Sequence, residues 1–357
     1  MLEGSARRVG TTPPRGRLLP FREVVLPWLV SRVVSDVLIL VMALSRAEPA
    51  RFAGFGRWDG DWYTLIAQHG YGAAPVVGHE SAWAFFPMFP GLIRALGFLG
   101  ITPMLAGVLI SHGALLFGLS GLYRIARNHS SARVGRLAVW TCALFPGAFV
   151  FSMVYPSALF LAASVWAFVL IEESRDVEAG LVASVAVLAR PNGFVVIIAL
   201  LIALRSSRRR QWTVCLPGML VLAGWCLYCW IETGDLLAFW TAKSGWPEVS
   251  VIDFVNNGHK YAVPHLALAA IALTAVIIVW RKVPVAWIAL TVLYLVPSLF
   301  VGMVGLGRYA TECFPPFVAA GDLLALRARR IQVTFFALSL VAQAVCVYWV
   351  IHSKWLP

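Results

Sequence analysis

The chain has 357 residues, of which 60% are hydrophobic and only 13% charged, and its mean hydropathy is +0.79. Because about half the residues of a water-soluble domain are apolar and about a quarter are charged, this composition excludes an ordinary soluble protein. Repeated apolar runs of about twenty residues predict an all-α polytopic membrane protein. We attribute the net charge of +12 to arginine clusters at helix ends, which orient membrane proteins, and expect no nucleic-acid partner.

The N-terminal part of the chain predicts a tail followed by a retained first helix. Residues 1–20 are basic and contain prolines, which predicts a disordered cytosolic tail. The first span is expected at residues 24–44, and its basic flank places the N-terminus in the cytosol. Since no small-residue cleavage site follows, we predict a single transmembrane domain over residues 21–357. Its first outer loop is expected at residues 45–102.

That loop contains a short stretch with two carboxylates among aromatic rings. Asp59 and Asp61 are two residues apart, and apolar side chains recur around them at helical spacing: Trp58, Trp62, Tyr63 and Ile66. The pattern predicts an amphipathic helix at the membrane surface. Such a helix would hold both carboxylates where lipid meets water.

The end of the first outer loop is expected to lie at the membrane interface rather than to cross. Residues 84–99 contain two prolines and Arg94. A full crossing would put the arginines after the next span on the outer side, against the positive-inside tendency. An interfacial segment keeps them in the cytosol: Arg124, Arg127, Arg133 and Arg136.

The remainder of the chain predicts further spans and one interrupted segment. Residues 179–204 are apolar except at Arg190-Pro191-Asn192-Gly193, which predicts two short helices in a hairpin with the turn toward the outer half. A second outer loop is expected at residues 232–262. The other spans are predicted at residues 103–125, 137–151, 157–171, 212–231, 263–280, 284–301, 311–326 and 331–351. The fold would then contain about 10–11 transmembrane segments.

Polar side chains collect on one side of this predicted bundle. Exposing polar groups to lipid is costly, so such a set is a candidate functional site. It comprises Asp59, Asp61, His69, Tyr155, Arg190, Asn192, Asp235, Lys243, Arg308, Tyr309 and Glu312. The asymmetry indicates a reaction at the outer face that uses a donor soluble in the membrane.

The two carboxylates of the first loop have alternative roles. Asp59 fits the N-cap of a helix, and it also fits a general base that takes a proton from an acceptor hydroxyl. Asp61 fits a helix-start carboxylate that interacts favourably with the helix dipole. The Asp-x-Asp pattern also suggests a divalent metal, but no nearby cluster completes a coordination shell. We therefore assign no metal site and expect no required cofactor.

Two arginines are candidates for binding a donor phosphate. The planar guanidinium groups of Arg190 and Arg308 suit a phosphate leaving group, although Arg190 also fits a snorkelling or interhelical hydrogen-bonding role. Candidate substrate-binding residues are Trp58, Asp61, Trp62, Tyr63, His69, Tyr155, Asn192, Asp235, Lys243 and Tyr309. Four members of the polar set also fit ordinary polar side chains of loops without a role in the site: His69, Asp235, Lys243 and Glu312. The aromatic residues of both outer loops fit membrane-interface anchors.

Several short motifs occur in order between residues 57 and 309. They are Arg57-Trp58-Asp59 with Trp62-Tyr63, Ile66-Ala67 and Gly70-Tyr71; Phe85-Phe86-Pro87; Tyr155-Pro156-Ser157-Ala158-Leu159-Phe160; Arg190-Pro191-Asn192-Gly193; Gly234-Asp235-Leu236-Leu237-Ala238-Phe239; and Arg308-Tyr309. Together they resemble the PIG-V-like mannosyltransferases of the GT-C glycosyltransferase superfamily. Ser157 and Ala158 stand where this family often has Ser or Thr followed by Glu.

The resemblance implies a GT-C-type bundle and an inverting enzyme that takes a sugar, expected to be mannose, from a polyprenyl-phosphate donor. It implies that Asp59 is the base, in a plasma-membrane protein with an extracytoplasmic active site. The acceptor stays open between a lipid, a glycan and a protein. The alternative function is a lipid or solute transporter or flippase, which would carry ionisable groups near the midplane of several spans.

Overall fold

A computed structural model of the chain describes residues 20–45, 53–246, 250–257 and 262–352. The predicted N-terminal tail lies outside these residues except for Pro20. Parts of both predicted outer loops, at residues 46–52, 247–249 and 258–261, also lie outside them.

The described residues form helices and contain no β-strand. A π-helical turn at Phe21–Val25 leads directly into the first α-helix. The first nine helices are α1 Leu26–Leu44, α2 Ala53–Gly56, α3 Asp59–His69, α4 Met88–Gly97, α5 Pro103–His129, α6 Ala132–Leu144, α7 Ser157–Glu172, α8 Asp176–Ala189 and α9 Phe194–Ala203. The next nine are α10 Arg208–Thr233, α11 Ala238–Lys243, α12 Val251–Asn257, α13 Ala262–Ile278, α14 Val285–Leu295, α15 Ser298–Val301, α16 Leu306–Glu312, α17 Pro315–Ala325 and α18 Arg329–Ile351.

Four of the described helical segments are long and apolar enough to cross a membrane. They are Phe21–Leu44, Pro103–His129, Arg208–Thr233 and Arg329–Ile351. Shorter apolar segments lie at Ser157–Glu172, Pro191–Ala203, Ala262–Ile278 and Val285–Phe300. The prediction of an all-α polytopic membrane protein is confirmed.

Two predicted spans are wrong in extent because proline interrupts the helix. The span predicted at 137–151 ends at Leu144, before Pro146. The span predicted at 284–301 is present as the apolar segment Val285–Phe300, with a local interruption of the helix at Pro297. The span predicted at 311–326 is divided between α16 and α17, since α17 begins with two prolines. Proline has no backbone N–H and disfavours the helical conformation of the preceding residue.

The interrupted segment at 179–204 forms a helical hairpin. Asp176, which begins α8, pairs with Arg210 near the start of α10 at 2.8 Å. Since residues 204–207 join the end of α9 to the start of α10, α9 must run back toward the beginning of α8. The turn contains Arg190 in an extended conformation and a 3₁₀ turn at Pro191–Gly193. A Cβ at Gly193 would lie 2.0 Å from the Ala186 carbonyl oxygen, so glycine permits this close turn.

Charged pairs mark one end of the helical bundle. Arg124 pairs with Glu173 at 2.5 Å, close to the Arg210–Asp176 pair. The hairpin turn lies at the other end of α8, and α7 extends between the same two ends. Because α7 has 16 residues, it separates them by about 24 Å.

The segment predicted to be interfacial contains one short helix. α4 has 10 residues, so it measures about 15 Å, half of the roughly 30 Å hydrocarbon core. It packs against α3 and α5 through the buried side chains of Phe89 and Ile93. The length agrees with a segment that does not cross, and its depth in a bilayer stays a prediction.

Candidate active site

Asp59 is the first residue of α3, and its side chain contacts Arg308 of α16. The N-cap position belongs to Trp58, whose backbone has φ 61° and ψ −122°. Positive φ is unfavourable for a bulky residue, and such strain concentrates at functional sites. The Asp59 carboxylate accepts a hydrogen bond from Arg308 Nη1 at 2.5 Å. Asp59 therefore has a partner on another helix, and capping α3 is not its only interaction.

The turn between α6 and α7 fixes the start of α3. The backbone N–H of Val154 donates to the Phe55 carbonyl at 2.9 Å. The phenol of Tyr155 donates to the carbonyl of Arg57, also at 2.9 Å. Both acceptors lie just before the strained Trp58 backbone, so these bonds anchor the chain where it enters α3.

Arg308 lies on α16 between its carboxylate partner and two aromatic rings. Its guanidinium carbon is 5.2 Å from the ring centre of Tyr155 and 5.8 Å from that of Tyr309. The Nε atom is buried and has no hydrogen-bond partner among the described residues. The buried Nε–H of Arg308 therefore stays available as a donor after Nη1 pairs with Asp59.

Arg190 is held in the interior by a carboxylate and a hydroxyl. Its Nη2 donates to Glu312 Oε1 at 2.6 Å and to Ser157 Oγ at 3.0 Å. The Arg190 and Glu312 side chains are only 5% and 0% exposed, so Arg190 joins helices and does not snorkel. Its guanidinium lies 5.6 Å from the ring centre of Tyr309, and its Nε is also buried without a described partner.

These contacts connect two ion pairs through one ring. We call Asp59, Arg308, Tyr309, Arg190 and Glu312 the charge cluster. Arg308 and Arg190 flank the ring of Tyr309, and each arginine has its own carboxylate. The sequence predicted that Asp59, Arg190, Arg308 and Tyr309 share one side of the bundle, and the structure brings them together.

Neutral phenols surround this charge cluster. Burial raises the pKa of Tyr63 well above its ordinary value, and burial raises the pKa of Tyr155 in the same direction. Both hydroxyls therefore stay protonated at neutral pH and can donate hydrogen bonds but not accept a proton. Each carboxylate of the cluster pairs with an arginine, but Glu312 is fully buried whereas Asp59 is partly exposed, so Asp59 is the one that an acceptor hydroxyl can reach.

A groove of about 480 Å³ lies beside α3. It is lined by Trp62 and His69 from this helix and by Tyr71, His79 and Glu80 from the following loop. Trp62 and His69 are seven residues apart and lie on the same face of α3, and Trp62 is about one turn after Asp59. The groove therefore extends away from the charge cluster along α3.

Several predicted substrate-binding residues have other contacts. Asp235 Oδ1 accepts from the Leu237 N–H at 2.9 Å and its Oδ2 accepts from Thr241 Oγ1 at 2.6 Å, so this carboxylate organises its own loop. Lys243 lies over the ring of Trp240 at 5.7 Å. Asn192 is half-buried in the hairpin turn, and Asp61 is exposed on α3.

Rings of the two loops pack against each other. Trp62 stacks on Phe85, and its ring centre is 5.7 Å from those of Phe85 and Trp246. Tyr63 meets Phe85 and Phe89 edge-on. The interpretation of these rings as membrane anchors is incomplete, since they also join the first loop to the second.

The structure gives roles to residues for which the sequence predicted none. Glu312 belongs to the predicted polar set without an assigned role, and Ser157 stands out in the sequence only as a departure from a motif, yet both hold Arg190. Arg32 on α1 is buried and donates to Ser152 Oγ at 2.6 Å and to the Ala148 carbonyl at 3.1 Å. A charge within an apolar span is the signal that could have identified Arg32.

Within the described ranges, no group of three or more His, Cys, Asp or Glu side chains is arranged to hold a metal ion.

The chain is similar to several solved structures. No family model and no curated protein matches the chain. The chain resembles ArnT from Cupriavidus metallidurans, solved with undecaprenyl phosphate, with 13% identity and a TM-score of 0.54 over 92% of this chain and 76% of that one. It also resembles the oligosaccharyltransferase of Archaeoglobus fulgidus, solved with zinc and sulfate, with 12% identity and a TM-score of 0.53 over 92% and 52% of the two chains.

A further similar structure is AglB, the oligosaccharyltransferase from Archaeoglobus fulgidus, in complex with an inhibitory peptide and a dolichol-phosphate. It has 13% identity and a TM-score of 0.50 over 93% of this chain and 56% of that one. The chain thus spans about half the length of the archaeal enzyme. These similarities show that the chain shares its overall helical fold with ArnT and with the archaeal oligosaccharyltransferase.

Proposed function

We propose that this protein is an inverting membrane glycosyltransferase that moves mannose from a polyprenyl-phosphate donor to an acceptor hydroxyl. Asp59 is the general base, and Arg190 and Arg308 bind the donor phosphate. The main support is that Arg190 and Arg308 flank Tyr309 and that both have a buried Nε without a described partner. Buried donors in native proteins are nearly always satisfied, and arginine is well suited to phosphate.

The charge cluster matches the charge movement of this reaction. The acceptor O–H bond breaks, the proton passes to Asp59, and the acceptor oxygen forms a bond to the anomeric carbon. The bond from that carbon to the phosphate oxygen breaks, and its electron pair stays on the phosphate. The charge of the donor phosphate then changes from about −1 to about −2, while the Asp59 carboxylate becomes neutral.

Arg308 couples these two changes. In the structure its Nη1 contacts Asp59 at 2.5 Å, and its Nε remains unpaired. As Asp59 takes up a proton, its attraction for Arg308 falls, while the attraction of the departing phosphate rises. A hydrogen-bonding group that contacts charge developing in the transition state accelerates the reaction more than a group that binds only the ground state.

We also propose a membrane side, a sugar donor and a range of acceptors for the reaction. The positive-inside tendency favours an orientation with the arginine-rich end of the bundle in the cytosol, and it supports our proposal that the charge cluster lies on the extracytoplasmic side of the plasma membrane. Similar folds have been solved with undecaprenyl phosphate and with dolichol-phosphate, which supports a lipid-phosphate donor here. The motif resemblance supports mannose, and the acceptor is a lipid, a glycan or a protein.

The test is a transfer assay on the purified full-length protein. The protein is reconstituted in vesicles with polyprenyl-phosphate mannose and with lipid, glycan and peptide acceptors. We expect release of polyprenyl phosphate that depends on one acceptor class, together with a mannosylated product of inverted configuration. Release no greater than that of the Asp59→Asn variant with every class would contradict the proposal and favour the transporter alternative.

A further inference from the structure

Glu312 is a fully buried carboxylate with a partner for each oxygen. Its Oε1 accepts from Arg190 Nη2 at 2.6 Å, and its Oε2 accepts from the Tyr294 phenol on α14 at 2.9 Å. The side chain is 0% exposed, so substrate cannot reach it directly. Removing two charges from water costs free energy, so a buried ion pair is weak evidence that its residues serve stability alone.

The choice of partner for Glu312 is specific. Arg308 lies four residues earlier on the same helix, at the spacing that favours a pair within a helix. Arg308 nevertheless pairs with Asp59 from α3, and Glu312 pairs with Arg190 from the hairpin turn. Glu312 thus offsets one of the two positive charges that flank the Tyr309 ring.

The bonds to Glu312 determine which part of Arg190 remains free. The two hydrogens of Nη2 are used by Glu312 Oε1 and Ser157 Oγ. The Nε hydrogen has no described partner and is buried. A guanidinium fixed on one side in this way presents its remaining donors in one orientation, without the entropy loss of a free side chain.

We infer that Glu312 is a positioning residue that holds Arg190 with its free Nε available to the donor phosphate. The inference rests on the proposed function of Arg190 as a phosphate ligand. Because Glu312 acts only through Arg190, removing Glu312 from a protein that already lacks Arg190 should not weaken phosphate binding further.

The experiment is a double-mutant cycle read out by lipid-phosphate binding. The dissociation constant for undecaprenyl phosphate is measured on the purified full-length protein, on Glu312→Gln, on Arg190→Gln and on the double variant. We expect each single variant to bind roughly 10- to 100-fold more weakly, which corresponds to one charge-assisted hydrogen bond. The double variant should bind no more weakly than Arg190→Gln. Additive losses, or unchanged binding by folded Glu312→Gln, would overturn the inference.

Two further variants separate positioning from folding. Thr291→Val is a control that removes a buried hydroxyl of α14 outside the contacts of Glu312. This hydroxyl donates to the Trp287 carbonyl of its own helix and contacts Cys313. The variant should bind undecaprenyl phosphate within about twofold of the original protein. If Glu312→Gln does not fold, Glu312→Asp retains the charge but shortens the reach, and unchanged binding by this variant would also overturn the inference. Because binding of undecaprenyl phosphate does not require transfer, the result stands apart from the outcome of the transfer assay.

Discussion

Asp59 and Arg308 are 249 residues apart in the chain, and their side chains meet at 2.5 Å. The side chain of Asp59 is 23% exposed and that of Arg308 is 11% exposed, so the pair lies at the edge of the packed interior. A base joined to a cation in this way becomes more available when another anion competes for that cation. A donor phosphate is such an anion, and its arrival would free the base at the moment when the base is needed.

The first prediction concerns Asp59→Asn. The amide cannot take a proton, so transfer should fall about 10²- to 10⁴-fold, the usual contribution of a general base. Binding of undecaprenyl phosphate should stay equal or become tighter, because Arg308 no longer has a competing carboxylate. Transfer assays and binding isotherms on the same preparation would measure both effects.

The control for this prediction is Glu232→Gln, which neutralises an exposed carboxylate at the end of α10 and should retain transfer. Near-complete transfer by Asp59→Asn would contradict the assignment of the base. Weaker lipid-phosphate binding by that variant would contradict the competition for Arg308.

The second prediction concerns Arg308→Lys. Lysine keeps the charge but lacks Nε and the planar fork, so it cannot bind Asp59 and a phosphate with separate donors. We expect kcat/KM for the donor to fall about 10- to 100-fold. Arg94→Lys on the exposed face of α4 is the matched control. Equal kinetics of the two variants would show that Arg308 supplies only charge.

The third prediction concerns packing behind Asp59. A Cβ at Gly107 would lie 2.4 Å from Val154 Cγ1, and Val154 also packs against Gly60 of α3. Gly107→Ala should destabilise the protein by about 1–3 kcal/mol through overpacking and should displace the turn that supports α3, which would lower transfer.

Two variants make this packing prediction specific. The double variant Gly107→Ala/Val154→Ala should recover both stability and transfer, since it removes the methyl groups that clash. Gly113→Ala on the same helix meets no atom within 4 Å and should be neutral or slightly stabilising. Thermal unfolding in detergent and the transfer assay measure these effects, and failure of the double variant to recover would contradict the steric explanation.

The sequence predicted the helical bundle and most of the charge cluster because both depend on local patterns. Apolar runs define spans, and Arg190-Pro191-Asn192-Gly193 defines the hairpin turn. The sequence also located the helix that begins at Asp59. It did not predict the helix end before Pro146 or the local interruption at Pro297, since an apolar run continues through both breaks.

The pairing of charges was beyond sequence reasoning for a physical reason. The spacing of Arg308 and Glu312 favours a pair within α16, but packing brings each one nearer to a residue from another part of the chain. Glu312 and Arg190 are 122 residues apart, and no local pattern encodes that approach. Arg32 was missed because a single arginine near the start of a span resembles an orientation signal, whereas its hydrogen bonds to Ser152 and Ala148 exist only in the folded bundle.

The fourth prediction concerns the ring between the two arginines. The half-buried ring of Tyr309 lies 5.6 Å from the Arg190 guanidinium and 5.8 Å from that of Arg308, and a cation over such a ring gains about 0.5–2 kcal/mol. Tyr309→Phe keeps the ring and should retain donor binding within about threefold. Tyr309→Leu fills similar space without the π-system, so both arginines lose this support and donor affinity should fall by about tenfold or more. Binding of undecaprenyl phosphate to the two folded variants measures the difference, and equal affinities would show that Tyr309 only fills space between the arginines.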